Sequence, residues 1–220
     1  MKKIILALDV LNIKKAERLI NETSIFIDIY KVGPILFLRS GKEIIKILKK
    51  NKKKIFLDLK FYDIPNTVKY AVESAKKLGI FSLTVHSIGG LEMLKAAVSV
   101  KNGPKIWAVT VLTSQIVSQE EIVKRARLAK LCGVDGVISS PQEIILIKKE
   151  CGKNFNIITP GIRNIKTNDD QKRTATPEFA IKYGASFIII GRPIIKAKNP
   201  YKITKDIYNK IKTSCRKNVI

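Results

Sequence analysis

Ile4-Ile5-Leu6-Ala7-Leu8-Asp9 is a short apolar run that ends on a carboxylate, and no glycine-rich turn follows it. A run of this length, rich in branched residues, reads as a strand buried on both faces. The pattern returns at Phe26–Val32, Lys54–Lys60, Phe81–His86, Lys105–Leu112, Val134–Ser139, Asn154–Thr159 and Ser186–Ile190, which makes eight strands with Ile4–Asp9. Between them, Ile35–Lys50, Asn66–Leu78, Leu91–Val98, Gln119–Leu131 and Pro141–Lys149 carry apolar residues at intervals of three and four, the mark of a helix with one buried stripe. Strict alternation of strand and helix implies parallel strands joined by crossover helices. An open doubly wound sheet more often has five or six strands and a G-x-G-x-x-G turn after the first. The count favours an α/β protein with one (β/α)8 TIM-barrel domain over residues 1–220.

Composition narrows the function classes. The net charge is +24, from 42 Lys and Arg against 18 Asp and Glu, and this alone would suggest a nucleic-acid binder. The lysines are spread over nearly every helical segment, however, in a background of Ile and Asn. No aromatic-interleaved basic stripe, zinc-finger spacing or helix-turn-helix pattern accompanies them. A solvated basic surface without specific nucleic-acid binding is the expectation. Cys132, Cys151 and Cys215 are far apart and form no C-x-x-C, so reduced thiols are expected. The apolar start after Met1-Lys2-Lys3 is too short for a signal peptide, and no stretch is long enough to span a bilayer. These features predict a cytoplasmic protein that does not engage membranes.

Polar residues recur where the strands end: Asp9, Lys31, Asp58 with Lys60, His86, Thr113 with Ser114, and Arg192. A barrel builds its active site at that face, where the strand ends converge. Alternate residues of a strand share a face, so Asp58 and Lys60 point together into the mouth while Leu57 and Leu59 face the helices. A self-neutralising core pair is the bland alternative, but such pairs are expensive to bury. Asp63, three residues on, and Lys31 at the preceding strand end would bring four ionisable groups together.

Asp58-x-Lys60-x-x-Asp63-Ile64-Pro65-Asn66-Thr67 resembles the signature of the orotidine 5'-monophosphate (OMP) decarboxylase family. The resemblance runs along the whole chain, through Ala7-Leu8-Asp9, Lys31-Val32-Gly33, Thr84-Val85-His86 with Gly89-Gly90, and Val111-Leu112-Thr113-Ser114. It continues through Thr159-Pro160-Gly161-Ile162-Arg163, Asp170-Gln171 and Ile190-Gly191-Arg192-Pro193. It implies conversion of OMP to UMP and CO2 with no metal and no organic cofactor. Lys60 would stabilise the carbanion at C6 and protonate it, with Asp58 beside the substrate carboxylate. Whether Asp58 repels that carboxylate or orients Lys60 stays open. Lys31, Asp63 and Asp9 would complete the charge network and hold the ribose hydroxyls, and Ile64 and Thr67 would also contact substrate. A homodimer is implied too, with Asp63 reaching into the neighbouring subunit's site.

The phosphate end reads partly by itself. Gly191-Arg192 follows the last strand, where barrels commonly hold phosphate, and the Arg192 guanidinium forms a fork suited to its oxygens. The resemblance adds Arg163 and Gln171 on a long polar loop from Pro160 to about Thr176, expected to close over the nucleotide. Thr113 and Ser114 match the place where the family hydrogen-bonds the pyrimidine amide. His86, the sole histidine, reads as a structural hydrogen-bonding residue, and Trp107 as core.

Two rivals remain. A metal-dependent sugar-phosphate decarboxylase of the same superfamily shares Asp-x-Lys-x-x-Asp but needs a further acidic ligand near strand two, where this chain has Lys31. From a different class, the +24 charge would serve a polyanion-binding protein.

Overall fold

The computed structural model describes residues 2–115, 117–163 and 174–217, with side chains described to residue 214. Eight strands form a closed barrel in chain order, every neighbouring pair parallel: β1 (Ile4–Ala7), β2 (Ile29–Val32), β3 (Lys54–Phe61), β4 (Ser82–His86), β5 (Lys105–Val109), β6 (Gly136–Ile138), β7 (Asn156–Thr159) and β8 (Phe187–Ile190). The helices are α1 (Ile13–Thr23), α2 (Pro34–Ser40), α3 (Lys42–Lys50), α4 (Pro65–Lys77), α5 (Gly90–Val98), α6 (Gln119–Leu131), α7 (Ile144–Cys151), α8 (Pro177–Lys182), α9 (Arg192–Ile195) and α10 (Pro200–Lys217). No described helix is long and apolar enough to cross a membrane.

The two-residue period of each strand divides the apolar residues between two cores. Ile4, Leu6, Tyr30, Val32, Ile55, Leu57, Ile188 and Ile190 face outward and pack under the helices. Ile5, Ala7, Ile29, Phe56, Trp107, Val109, Ile138, Ile158, Phe187 and Ile189 face inward and fill the barrel. Trp107 plugs the middle, with ring centroids 4.6 Å from Phe56 and 5.9 Å from Phe187. That plug closes the barrel axis, so any ligand must enter from an end.

Several boundaries differ from the sequence reading, each for a local reason. Ile35–Lys50 is two helices, because Gly41 turns the chain at φ 50° and its N–H caps the Phe37 carbonyl at 2.7 Å. Pro141–Lys149 begins as a 3-10 turn over Pro141–Glu143, fixed by a Ser140–Glu143 capping box, before α7 starts at Ile144. β5 stops at Val109, not Leu112: the Ser87 hydroxyl takes the Val109 carbonyl at 2.7 Å, and Arg125 takes the Thr110 carbonyl at 2.9 Å. Side-chain donors thus claim the acceptors that a longer ladder would need.

Candidate active site

The inward residues at the C-terminal strand ends line a cavity of about 520 Å³, floored by Ala7, Val109, Ile138 and Ile189. An ion network stands on its β1–β3 side. The Lys31 ammonium lies 3.0 Å from Asp9 Oδ1 and 3.2 Å from Asp58 Oδ2, and the Lys60 ammonium lies 2.9 Å from Asp58 Oδ1. All four side chains line the cavity. Lys31 and Asp58 are buried, whereas the Lys60 side chain is 37% exposed and reaches into the open space. Close approach matters at Gly33, where a Cβ would stand 3.3 Å from Asp9 Oδ1 and 3.4 Å from Lys31 Nζ, tight against the ion pair.

Burial opposes charge on both inner groups, and their partners outweigh it. For Lys31, desolvation is overcome by the Asp58 and Asp9 carboxylates, and the ammonium is held above its ordinary range. For Asp58, desolvation is overcome by Lys31, Lys60 and the hydrogen bonds from Lys60 and Thr84, and the carboxyl is held below its ordinary range. A lowered acid stabilises the fold above its unfolded value, about 3.9, and that stability is lost as pH falls through the folded value. A raised lysine does so below about 10.4, and that contribution is lost as pH rises through the folded value. Asp58→Asn is therefore expected to destabilise the fold by about 3–5 kcal/mol at neutral pH, since it leaves Lys31 underpaired. In urea unfolding, the gap from wild type should narrow below about pH 4. A gap unchanged in acid would mean that the carboxylate charge contributes nothing.

The β7–β8 side of the cavity carries cationic side chains. Pro160, Gly161, Arg163, Gly191, Arg192, Ile195 and Lys196 line it. The long loop is anchored at its two ends, with Arg163 N–H donating to the Ala175 carbonyl at 3.0 Å and Ala175 N–H to the Gly161 carbonyl at 3.2 Å. Gln171 lies outside the described residues. The sequence reading missed Lys196, which was discoverable as the residue four after Arg192, one helical turn on.

Among the other expected residues, Thr113 lines the cavity, and Ser114 is exposed in the turn after it. Asp63 does not join the ion network of its own chain, which departs from the quartet read from residue order; Asp9, also expected in the network, is its fourth member. Asp63, Ile64 and Thr67 are exposed on the β3–α4 rim, and the Asp63 carboxylate accepts the Ile64 N–H at 2.7 Å. The reason is local, because β3 ends at Phe61 and the following turn into Pro65 carries Asp63 out of the mouth. His86 accepts the Ile88 N–H on Nδ1 at 3.4 Å and caps a 3-10 turn, while burial and the Arg125 and Lys60 charges push its pKa down. Behind Ile138, Thr110 and Ser139 share a 3.0 Å hydrogen bond, and Ser139 bonds the buried Glu143 carboxylate. That polar network holds the β5 and β6 ends that form the cavity wall.

No group of three or more His, Cys, Asp and Glu arranged to hold a metal occurs among the described residues. Among the described residues, the two carboxylates lining the cavity, Asp9 and Asp58, already share the Lys31 ammonium, a donor set that disfavours a divalent cation.

Residues 2–207 match the model of the family described as Orotidine 5'-phosphate decarboxylase / HUMPS family. The orotidine 5'-phosphate decarboxylase of Pelobacter propionicus is 39% identical, the match covering 97% of this chain and 97% of that protein. The one from Legionella pneumophila strain Philadelphia 1 is 44% identical over 91% of this chain and 95% of its own. Among solved structures, orotidine 5'-phosphate decarboxylase from Lactobacillus acidophilus superposes with a TM-score of 0.82 at 34% identity, covering 96% of this chain and 99% of that one. Likeness of this extent, in both sequence and barrel, leaves one assignment: the chain belongs to the orotidine 5'-phosphate decarboxylase / HUMPS family.

Proposed function

We propose that this protein decarboxylates OMP to UMP, with the chemistry carried by the Asp9–Lys31–Asp58–Lys60 network and the substrate phosphate held at the Arg163–Arg192 side. The observation that carries the reading is a half-exposed ammonium, Lys60, aimed into a cavity and fixed from behind by a buried carboxylate. Breaking the bond from C6 to the carboxylate leaves an electron pair in an sp2 orbital of the ring. The π system cannot delocalise it. Fixed positive charge beside C6 lowers the energy of that state without reorganisation during the reaction. CO2 departs, one Lys60 N–H proton moves to C6, and the resulting amine is reprotonated from solvent. The Asp58 carboxylate holds the donating ammonium in place through a 2.9 Å hydrogen bond.

The exposed rim suits a partner subunit. Tyr62 and Ile64 are large apolar residues that stand open beside Asp63. In a two-fold dimer, that rim would complete the other protomer's site and place Asp63, Ile64 and Thr67 against its substrate. Mixing two inactive variants tests this. In a Lys60→Ala/Asp63→Ala heterodimer, one site regains both residues, so about a quarter of wild-type turnover should return after statistical exchange of equal amounts. No recovery, despite proven exchange, would place Asp63 in its own subunit's site, and an Asp63→Ala variant active by itself would place it outside the reaction.

Purified protein should consume OMP absorbance in the presence of a metal chelator. Activity abolished by the chelator and restored by a divalent cation would instead favour a metal-dependent sugar-phosphate decarboxylase.

A further inference from the structure

Asp58 and Lys60 do not lie in regular strand geometry. Leu57 pairs with Leu83 and Phe61 with Val85, so the register between β3 and β4 shifts within that interval. Three residues, Asp58, Leu59 and Lys60, therefore stand opposite a single one, Thr84. The extra length is absorbed at Lys60, whose φ is 52°. A lysine in the left-handed region is strained, and it persists there only when its surroundings hold it.

A hydroxyl on the neighbouring strand holds it. The Thr84 hydroxyl accepts the Lys60 backbone N–H at 2.9 Å and donates to Asp58 Oδ1 at 2.9 Å. The Lys60 ammonium donates to the same Asp58 oxygen at 2.9 Å. One hydroxyl thus joins the backbone of the lysine to the carboxylate that positions its side chain, closing a ring of three hydrogen bonds. Thr84 is wholly buried, and without its oxygen the Lys60 N–H would face a neighbouring strand already out of register. A bulge beside an active site re-aims a side chain.

We propose that Thr84 is a positioning residue for the reaction: its hydroxyl pins the β3 bulge and thereby sets where the Lys60 ammonium stands relative to the reacting carbon. The sequence signal is faint. Thr84 shares the inward face of β4 with His86 and neighbours the Asp58 strand, but a threonine in a strand is ordinary β-sheet composition. The inference rests on the decarboxylase reading above, and its test separates the two.

The decisive comparison is among wild type, Thr84→Val and Thr84→Ser, with OMP turnover, UMP affinity and thermal unfolding measured for each. Thr84→Val keeps the shape and removes the hydroxyl. Because displacement of a reacting group by about 1 Å costs around 10²-fold, kcat should fall by about that factor. KM and UMP affinity should change less than about threefold, since the phosphate and ribose contacts are untouched. The acidic limb of the kcat profile should also move to higher pH, because Asp58 loses a hydrogen bond that favours its charged form. Thr84→Ser retains the oxygen and should recover most of the lost kcat. Should the valine variant fail to fold, Thr84→Ala removes the same hydroxyl without added bulk and carries the same expectation.

A valine or alanine variant with kcat within about threefold of wild type would overturn the inference. So would equal losses in the valine and serine variants, or folding failure in both valine and alanine variants, which would make the bond purely structural. Wild type that does not consume OMP would instead overturn the decarboxylase reading itself.

Discussion

Lys60→Ala is expected to lower kcat for OMP by about 10⁴-fold or more and to leave the protein folded. Two effects are removed together. A donor aimed at developing charge contributes about 10²–10³-fold, and a positioned proton donor about 10²–10⁴-fold. The fold should survive because Asp58 keeps two of its partners, the Lys31 ammonium at 3.2 Å and the Thr84 hydroxyl at 2.9 Å. The alanine also removes only a side chain that is partly in solvent. Lys60→Arg separates the two contributions: guanidinium preserves the positive charge but does not give up a proton near neutrality. It should remain nearly inactive if protonation limits the reaction, and should recover part of the lost rate if charge alone does. Stopped-flow or steady-state loss of OMP absorbance, with circular dichroism as the folding control, reads both variants. Turnover of the alanine variant within about tenfold of wild type would remove the lysine from the chemistry.

The second large effect concerns the substrate. Orotidine, which lacks the 5'-phosphate, is expected to react with a kcat/KM about 10³-fold or more below that of OMP. The cavity is electrically divided: Asp9, Lys31, Asp58 and Lys60 occupy one side, and Arg163, Arg192 and Lys196 the other. Binding energy gained at the cationic side cannot stabilise the C6 carbanion directly. It acts by holding the ring against Lys60. Arg192→Ala should accordingly depress OMP turnover strongly and orotidine turnover hardly at all, a non-additive pair that isolates the phosphate contact. If orotidine reacted only a few-fold more slowly than OMP, the division of labour across the cavity would be wrong. Equal losses on both substrates in the arginine variant would assign Arg192 to the ring or the ribose instead.

Much of the fold was legible because it depends on short-range periodicity. Strands such as Ile4–Ala7 and Phe187–Ile190 announce themselves as apolar runs, and their number points to a closed barrel. Their ends were less legible. β5 was read three residues too long, since nothing in Lys105–Leu112 signals that Ser87 and Arg125, from other parts of the chain, will claim its last carbonyls. Lys196 and the positioning role of Thr84 leave little signal, because their residue types are ordinary in a lysine-rich surface and a strand.

The sequence by itself determined the eightfold rhythm, the inward face shared by Asp58 and Lys60, and the cationic residues after β7 and β8. Those follow from residue spacing and local order along the chain, although the β3 bulge, and not a regular repeat, sets how Lys60 reaches that face. Barrel closure alone decided that Lys31 would stand between Asp9 and Asp58 and that Lys60 would be bent to positive φ over Thr84. Each of these depends on hydrogen bonds and charges from residues distant in sequence, whose distances are set only when the strands pair.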